Sequence, residues 1–239
     1  MKKDVKETFN KLATIYEHHV DEKSLYNSEY ERPAMLGQLP QNLETMTVLD
    51  AGCAAGWYTE QLVNRGAKVF ATDISPEMVA ATKRRIGTKA KVSCVDLETE
   101  LPFEASSFDL IISSLTLHYI KDWSQTFSEF QRLLKPNGVL LFSIHHPFMD
   151  LKLSENGDYF STELLIGRWE KEGQSFNVPF YRRPLHSVIN ETSAYFKIEK
   201  IIEPQPTNNL KIRAPKSYDK LMKNPHFLIV RAQKLEEKT

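Results

Sequence analysis

The sequence predicts an α/β fold in which helices cover both faces of a seven-stranded, mainly parallel sheet, a doubly wound arrangement. Short apolar runs alternate with helical patterns between residues 46 and 144, which is typical of parallel strands joined by crossover helices. The first three runs each end in an aspartate. The last two runs, 195–202 and 227–232, have no long crossover helix between them, so these strands can pair antiparallel.

Composition limits the class of protein. The chain has 239 residues, of which 41% are apolar, enough for a globular domain with an ordinary core. Its 31 basic residues balance 31 acidic ones, so it lacks the global positive field of most nucleic-acid binders. No run approaches the ~20 apolar residues that span a bilayer, and no apolar signal core follows the first residues. Cys53 and Cys94 give no disulfide framework, so we expect a cytoplasmic protein.

The first strand and the turn after it form the centre of the predicted site. The run Met46–Leu49 predicts a buried strand, small residues follow it, and a helix is expected over about 56–65. Small residues let the backbone approach a ligand closely. The unpaired N–H groups at the start of the helix suit an anionic or carboxylate-bearing ligand. Asp50 ends the strand and is expected to place its carboxylate in the same crevice.

The second and third predicted strands also end in carboxylates. Residues 67–73 end at Asp73, which lies one helix and one strand beyond Asp50. A carboxylate in that place can accept hydrogen bonds from both hydroxyls of a ribose. The third strand, 90–95, is followed by Asp96. Because parallel strands end at one edge of a sheet, we expect the three carboxylates to meet there.

The later elements continue the alternation. Patterns with a period near 3.6 predict helices, and short apolar runs predict strands. In chain order these are a fourth strand after Phe108, a helix over 122–134 that ends in the turn 135–138, a fifth strand at 139–144, a helix at 185–194, a sixth strand at 195–202, a short helix at 217–223 and a seventh strand at 227–232.

The glycine-rich turn is by itself a weak signal. It has the form acidic-x-Gly-x-Gly-x-Gly at Asp50, Gly52 and Gly56, with Ala54 in place of the middle glycine. We expect Ala54 to need no positive φ. Nicotinamide and flavin binders share such turns.

The spacing of the later motifs distinguishes these families. Residues 101–120 hold a Leu-Pro-Phe loop, a Phe-Asp pair, a strand and a Leu-His-aromatic stretch, and residues 134–138 read Leu-Lys-Pro-Asn-Gly. With these motifs the chain resembles the class I S-adenosylmethionine-dependent methyltransferases, and among them the type 11 methyltransferase-domain family. The resemblance covers roughly residues 47–144. The nicotinamide alternative weakens because the chain has no Tyr-x-x-x-Lys hydride-transfer pair.

The resemblance implies a cofactor and a fold. The cofactor is S-adenosyl-L-methionine, with S-adenosyl-L-homocysteine as product, and the fold is a Rossmann-like sheet of order 3-2-1-4-5-7-6 whose last strand is antiparallel. In this family an acidic side chain after the third strand usually holds the adenine amino group, and Asp96 is in that place here. The candidate cofactor-binding residues are Asp50, Gly52, Cys53, Ala54, Gly56, Asp73, Ile74, Met78, Asp96, Leu97 and Ser113.

Two segments outside the resemblance are expected to determine substrate choice. Residues 1–40 predict an N-terminal helical cap, which in this family often folds over the cofactor. Within the methyltransferase domain, 41–239, the stretch 146–184 lacks a long periodic element, and we expect a substrate lid or small β insertion after strand 5. The aromatic residues of both segments either line a pocket or form local cores. The candidate substrate-binding residues are Tyr16, Tyr26, Tyr30, His118, His146, Trp169 and Tyr181.

Three histidines are candidate catalytic bases. His118, His145 and His146 follow the fourth and fifth strands at the expected cofactor edge, and neutral imidazole can accept a proton near pH 7. Each is as well suited to be a hydrogen-bonded structural residue. The adjacent pair His145 and His146 would point apart on a strand, so we expect no metal site.

Three functional hypotheses follow. The first is a methyltransferase acting on an O, N or C nucleophile of a small organic molecule. The second is a methyltransferase acting on tRNA or protein, although Ser113–Thr116 replace the Asn/Asp-Pro-Pro-aromatic motif of base N-methylation. The third is a cofactor-binding regulatory protein without turnover. We expect a monomer or homodimer, no membrane partner and no nucleic-acid partner.

Overall fold

The structure is a computed structural model that describes residues 1–20 and 23–235. Residues 21–22 of the predicted N-terminal segment and residues 236–239 of the predicted methyltransferase domain lie outside the described part. The strands of the described part are β1 Thr47–Ala51, β2 Lys68–Asp73, β3 Ala90–Cys94, β4 Phe108–Ser114, β5 Leu134–His145, β6 Glu163–Lys171, β7 Gln174–Arg182, β8 Phe196–Ile202 and β9 Phe227–Lys234.

Helices connect these strands and precede the first of them. Helix α1 continues into a π-helical turn, Tyr16–Val20, and a second π-helical turn, Asn27–Glu31, leads into α2. The helices of the described residues are α1 Lys2–Ile15, α2 Arg32–Leu36, α3 Trp57–Asn64, α4 Pro76–Ile86, α5 Ser124–Leu133, α6 Pro147–Leu151, α7 Leu185–Ser193, α8 Asn208–Arg213 and α9 Pro215–Leu221.

Seven strands of the described chain form one mixed sheet of order β3-β2-β1-β4-β5-β9-β8. Strands β1 to β5 are parallel, and β9 is antiparallel to both β5 and β8. This arrangement confirms the predicted fold, with β8 and β9 as the sixth and seventh strands of the sheet. The parallel strands place their carboxyl ends along one edge, where open α/β sheets bind ligands.

Two apolar layers hold the helices against the sheet. Adjacent residues of one strand enter opposite layers, because side chains alternate across a strand. Leu49 faces the layer that holds Phe127 and Phe130 of α5, and Val48 faces the layer that holds Leu62 of α3. All five side chains are fully buried, and burying such a side chain contributes ~1.5–3 kcal/mol.

The N-terminal helix lies across the edge of the sheet. Leu12 and Ile15 of α1 pack with Met78 of α4 and with Val178 of β7. Polar contacts add to this packing, including the bidentate pair between Glu17 and Arg84, with distances of 2.6 and 2.8 Å. Residues 1–20 are therefore the part of the predicted cap, 1–40, that lies between the sheet edge and the β6–β7 hairpin.

The stretch 146–184 contains more regular structure than its sequence pattern indicated. It holds α6 and the two-stranded antiparallel sheet β6–β7, which pairs Glu163 with Arg182 and Lys171 with Gln174 at its ends. Gly167 and Pro179 interrupt the sequence pattern but lie within the paired strands. Short β strands with such interruptions give little periodicity to read.

The fifth strand also begins earlier than expected, at Leu134 rather than at Val139. The predicted turn at 135–138 is present as an irregular start of the strand. Its pairing with β4 shifts between Phe108 and Leu110, and Asn137 has a φ of 63°. The expected turn is therefore part of β5, which pairs with β4 on both sides of the irregularity.

Among the described residues, no helix has the length and apolar content needed to cross a lipid bilayer.

Candidate active site at the carboxyl edge of the sheet

The turn after β1 brings backbone close to the neighbouring elements. Gly52 and Gly56 have φ of 86° and 83°, and the N–H groups of Gly52 and Cys53 donate to the carbonyl of Thr72 at 2.8 and 2.9 Å. A Cβ on Gly52 would lie 2.2 Å from Oγ1 of Thr116. Only glycine fits this left-handed position without displacing its neighbour.

Ala54 corrects one expectation, because it does adopt a positive φ, 46°. Two hydrogen bonds hold it there. Its N–H donates to Oδ2 of Asp73 at 2.9 Å, and its carbonyl accepts from Oγ1 of Thr82 at 2.6 Å. The turn therefore keeps the shape of a glycine-rich loop although the middle glycine is an alanine.

Asp73 lies at the end of β2 beside this turn. Its carboxylate accepts the N–H of Ala54 and, at 2.8 Å, the N–H of Ser75. Burial raises the pKa of Asp73 to about 6, and the backbone N–H donors oppose that rise. Ser75 also caps α4, where its hydroxyl accepts from the N–H of Met78 at 3.1 Å.

Asp50 is not brought to the cavity with the other two carboxylates. It is buried beneath α3, where it accepts the hydroxyl of Thr59 at 2.6 Å. Burial, with Asp73 as a smaller contributor, raises its pKa to about 7. The side chain at the end of β1 thus supports the first turn of α3, and the expected cluster of three carboxylates is reduced to Asp73 and Asp96.

A cavity of about 460 Å³ opens at this edge of the sheet. Its walls come from the β1 turn, the ends of β2, β3 and β4, the cap, the end of β6 and the start of β9. The predicted site residues that line it are Gly52, Cys53, Ala54, Asp73, Ile74, Asp96, Leu97, Tyr16, Tyr26, His145 and Trp169.

The other predicted site residues lie elsewhere. The structure places outside this cavity Asp50, Gly56, Met78, Ser113, Tyr30, His118, His146 and Tyr181. Gly56, whose added Cβ would lie 2.8 Å from Thr82, shapes the turn from behind, and Met78 is fully buried against the cap. Ser113 donates to the carbonyl of Ala51 at 2.9 Å.

The two remaining tyrosines have structural contacts. Tyr30 is fully buried against Phe227, and its hydroxyl accepts the N–H of His226 at 3.0 Å. Tyr181 borders a much smaller pocket beside Arg182.

Of the three candidate bases, only His145 lines the cavity. Its Nδ1 lies 3.2 Å from Oδ2 of Asp150, on α6, and its ring stacks on His118 with 4.1 Å between centroids. His118 is buried behind it, and burial holds its pKa well below the usual range. His146 caps α6 by accepting the N–H of Phe148, and its Nε2 lies 2.9 Å from Oε1 of Glu203.

Several cavity residues escaped sequence reasoning. His226, Tyr119 and Phe227 line the cavity, as does Arg32, whose guanidinium lies 4.0 Å above the ring of Trp57. Burial lowers the pKa of His226 to about 3, so this imidazole is neutral at physiological pH. A histidine directly before the last strand was the available signal, since that strand borders β5 at the cavity edge.

A buried carboxylate joins the cap to the sheet behind the cavity. Glu31 is fully buried and accepts the hydroxyls of Tyr58, Ser114 and Ser143 at 2.7, 2.8 and 2.6 Å. Burial raises its pKa, while the three hydroxyl donors act in the opposite direction. Because Tyr58 and Ser114 line the cavity, Glu31 fixes part of its wall.

Comparison with known proteins decides the family. Residues 49–142 match the family described as "Methyltransferase domain". A putative S-adenosylmethionine-dependent methyltransferase from Listeria monocytogenes has the same fold, with 27% identity and a TM-score of 0.73, over 86% of this chain and 97% of that one. These matches support a class I S-adenosylmethionine-dependent methyltransferase. The family resemblance read from the sequence is therefore confirmed, and this methyltransferase uses S-adenosylmethionine as its methyl donor.

Two sequence relatives add different information about this methyltransferase. A Haemophilus influenzae protein described as uncharacterized is 29% identical over 230 residues, which are 88% of this chain and 89% of that protein. Malonyl-[acyl-carrier protein] O-methyltransferase of Erwinia billingiae is 31% identical over 142 residues. Those residues are 59% of this chain and 53% of the Erwinia protein, so the chain spans about half of that relative's length.

The residues of the cavity fit the cofactor of this methyltransferase. The approach of Gly52 to Thr116 leaves no room for a side chain on the turn, so the backbone itself faces the cavity. Asp73 and Asp96 supply two carboxylates beside it. Neutral side chains with apolar surface, including Ile74 and Leu97, lie between these polar groups, as a nucleoside site requires.

Proposed function

We propose that this methyltransferase transfers a methyl group to a nucleophile of a small organic molecule, with His145 as the general base. One observation carries the proposal: a single cavity joins the carboxylates at the strand ends to a wall of aromatic and histidine side chains. The acidic end suits the cofactor. The wall that holds His145, Tyr119 and Phe227 suits an organic acceptor.

The roles of the cofactor-binding residues belong to the same proposal. Asp73 accepts hydrogen bonds from the ribose hydroxyls, and Asp96 accepts one from the adenine amino group. The turn at Gly52, Cys53 and Ala54 lies beside the amino-acid tail, and the carbonyl of Gly52 accepts from its ammonium group, because the N–H groups of these three residues already donate to Thr72 and Asp73. Gly56, Met78 and Ser113 support these groups from behind the cavity wall. Asp50 supports α3 through its hydrogen bond with Thr59.

The chemistry asked of the protein is positioning and one proton transfer. When bound, S-adenosylmethionine would supply a methyl group attached to a cationic sulfur. That sulfur would leave as part of a neutral thioether. Oδ2 of Asp150 lies 3.2 Å from Nδ1 of His145 without a hydrogen bond between them, so this carboxylate is close enough to stabilise a protonated ring while Nε2 accepts the proton. Nε2 of His145 would accept the proton that the acceptor's oxygen or nitrogen loses on methylation. Asp150 then stabilises the imidazolium.

The covering of the cavity favours a small acceptor over a macromolecule. Besides the pair of Glu17 with Arg84, the hydroxyl of Thr8 donates to the carbonyl of Asn177 at 3.3 Å, which links α1 to β7. A base within tRNA or a side chain within a folded protein would have to pass between the cap and the hairpin. The equal numbers of basic and acidic residues also offer no broad field for RNA.

A carrier-bound malonyl group is the second candidate acceptor, favoured by the name of the Erwinia relative. A carboxylate acceptor has no proton to lose at neutral pH, so it would not need His145. The two candidates therefore differ in what substitution of this histidine does.

The test replaces His145 with Gln and measures S-adenosylhomocysteine formation against a panel of hydroxyl, amine and malonyl-carrier acceptors. We expect kcat on the preferred hydroxyl or amine acceptor to fall ~100-fold or more, the usual contribution of a general base. The affinity for S-adenosylhomocysteine should not change. The matched control is His186→Gln, since His186 is an exposed histidine outside the cavity. Preference for the malonyl carrier, or undiminished kcat in His145→Gln, contradicts the proposal.

A cytoplasmic location completes the proposal. Cys53 and Cys94 are both free thiols, which fits a reducing compartment. The boundaries 1–40, 41–239 and 146–184 remain our proposed division into cap, methyltransferase domain and insertion.

A further inference from the structure

The cavity is lined by one cation that has no partner among the residues the structure describes. Lys171, the last residue of β6, lines the cavity and is half-buried. Among the described residues, no hydrogen bond or ion pair reaches its ammonium group. The neighbouring carboxylate of Glu172 is 2.8 Å from Nζ of Lys23 instead.

The surroundings of Lys171 differ from those of a solvated surface lysine. Burial lowers the pKa of its ammonium, and Glu172 only partly offsets this effect. Lys2, another cavity-lining cation, is by contrast neutralised by Asp96 and Glu98 at 2.9 and 3.0 Å. A desolvated ammonium that faces a cavity without an acceptor is stabilised by an anionic ligand.

Aromatic rings line the same cavity as this lysine. Trp169 lies two residues before Lys171 on β6 and lines the cavity, as do Tyr26, Tyr119 and Phe227. Phe9 joins Trp169 and Tyr119, with ring centroids 6.5 and 5.1 Å away. Flat, apolar faces together with one cation match an aromatic ring that carries a negative group.

We propose that Lys171 binds a carboxylate of the methyl acceptor, so that the acceptor is an aromatic acid whose ring lies against the aromatic wall. This inference rests on the proposed function, because it names the substrate class of the same cavity. The acceptor then has two anchor points: Lys171 holds its carboxylate, and His145 takes the proton from its reacting hydroxyl or amine.

The cofactor also carries a carboxylate that Lys171 could bind. The experiment therefore distinguishes the carboxylate of the acceptor from that of the cofactor. Isothermal titration measures the binding of benzoate and of its neutral analogue benzamide to the protein saturated with S-adenosylhomocysteine. Wild-type protein should bind benzoate at least ~10-fold more tightly than benzamide, the value of one charge-assisted hydrogen bond. Lys171→Gln should lose this preference and Lys171→Arg should keep it, while Lys197→Gln, an exposed lysine of β8, serves as control.

Each outcome decides the proposal. It is supported if the preference disappears in Lys171→Gln and the affinity of that variant for S-adenosylhomocysteine equals the wild-type value. It is overturned if benzoate shows no binding, if benzamide binds equally well, or if Lys171→Gln keeps the preference. A matching loss of S-adenosylhomocysteine affinity overturns it too, because Lys171 would then hold the cofactor's carboxylate. The titration involves no turnover, so its result is independent of the His145→Gln test of the proposed function.

Discussion

The sharpest prediction concerns the close approach of Gly52 to Thr116. In Gly52→Ala the new Cβ would lie 2.2 Å from Oγ1 and 2.4 Å from Cγ2 of Thr116, whereas ordinary contact begins at 3.4 Å. Relief of this contact takes a shift of about 1.2 Å in the turn or in Thr116. A misplacement of ~1 Å can cost about 100-fold in catalytic rate, and we expect a loss of affinity of the same order. The φ of 86° adds ~1–2 kcal/mol of backbone strain for alanine. Isothermal titration should show the Kd for S-adenosylhomocysteine rising by ~100-fold.

Two further variants isolate the steric cause. Gly157→Ala is the matched control, because Gly157 also has a positive φ, 66°, but has no atom within 4 Å of the added Cβ. It should bind the product with wild-type affinity. Adding Thr116→Ala to Gly52→Ala removes the two closest atoms and should recover part of the affinity. The reasoning is refuted if Gly52→Ala, folded by circular dichroism, binds within threefold of Gly157→Ala.

Two more predictions test the carboxylates. Asp73→Ala should weaken S-adenosylhomocysteine binding by ~100-fold or more. Because the pKa of Asp73 is about 6, the affinity of the wild-type protein should rise as pH increases from roughly 5 to 7 and then level off. Calorimetry should not detect this step in Asp73→Asn. A pH step that persists in Asp73→Asn assigns the titration to another group. Glu31→Ala should lower the free energy of unfolding in urea by ~2–4 kcal/mol, because Tyr58, Ser114 and Ser143 lose a buried acceptor, and a loss below ~0.5 kcal/mol contradicts that role.

The sheet could be predicted because its signals are local and repeated. Each parallel strand is a short apolar run with a helix pattern after it, so the strands were located to within a few residues, except for the start of β5, while their order in the sheet came from the family resemblance. The β6–β7 hairpin gave weaker signals. Its outward positions carry apolar side chains such as Leu164 and Ile166, exposed by 47% and 64%, and these obscure the alternation of a half-buried strand.

The site was predictable where the backbone decides it and less so where side-chain packing does. Strand ends placed Asp73 and Asp96 at the cavity, but nothing in the sequence showed that Asp50 would pair with Thr59 beneath a helix. Likewise, His145 and His146 are adjacent in the sequence, and only the path of β5 into α6 directs the first to the cavity. Lys171 could not be recognised at all, since its partnerless state depends on contacts that its neighbours make with other segments.

The position of β9 has a consequence for synthesis of the chain. Residues 227–233 insert between β5 and β8, so the sheet remains split until β9 has been made. His226 and Phe227, at the start of that strand, complete the cavity wall at the same moment. A nascent chain still lacking this segment would have two unpaired strand edges and an open pocket. Termination before β9 should therefore yield an aggregation-prone product rather than a partly active enzyme.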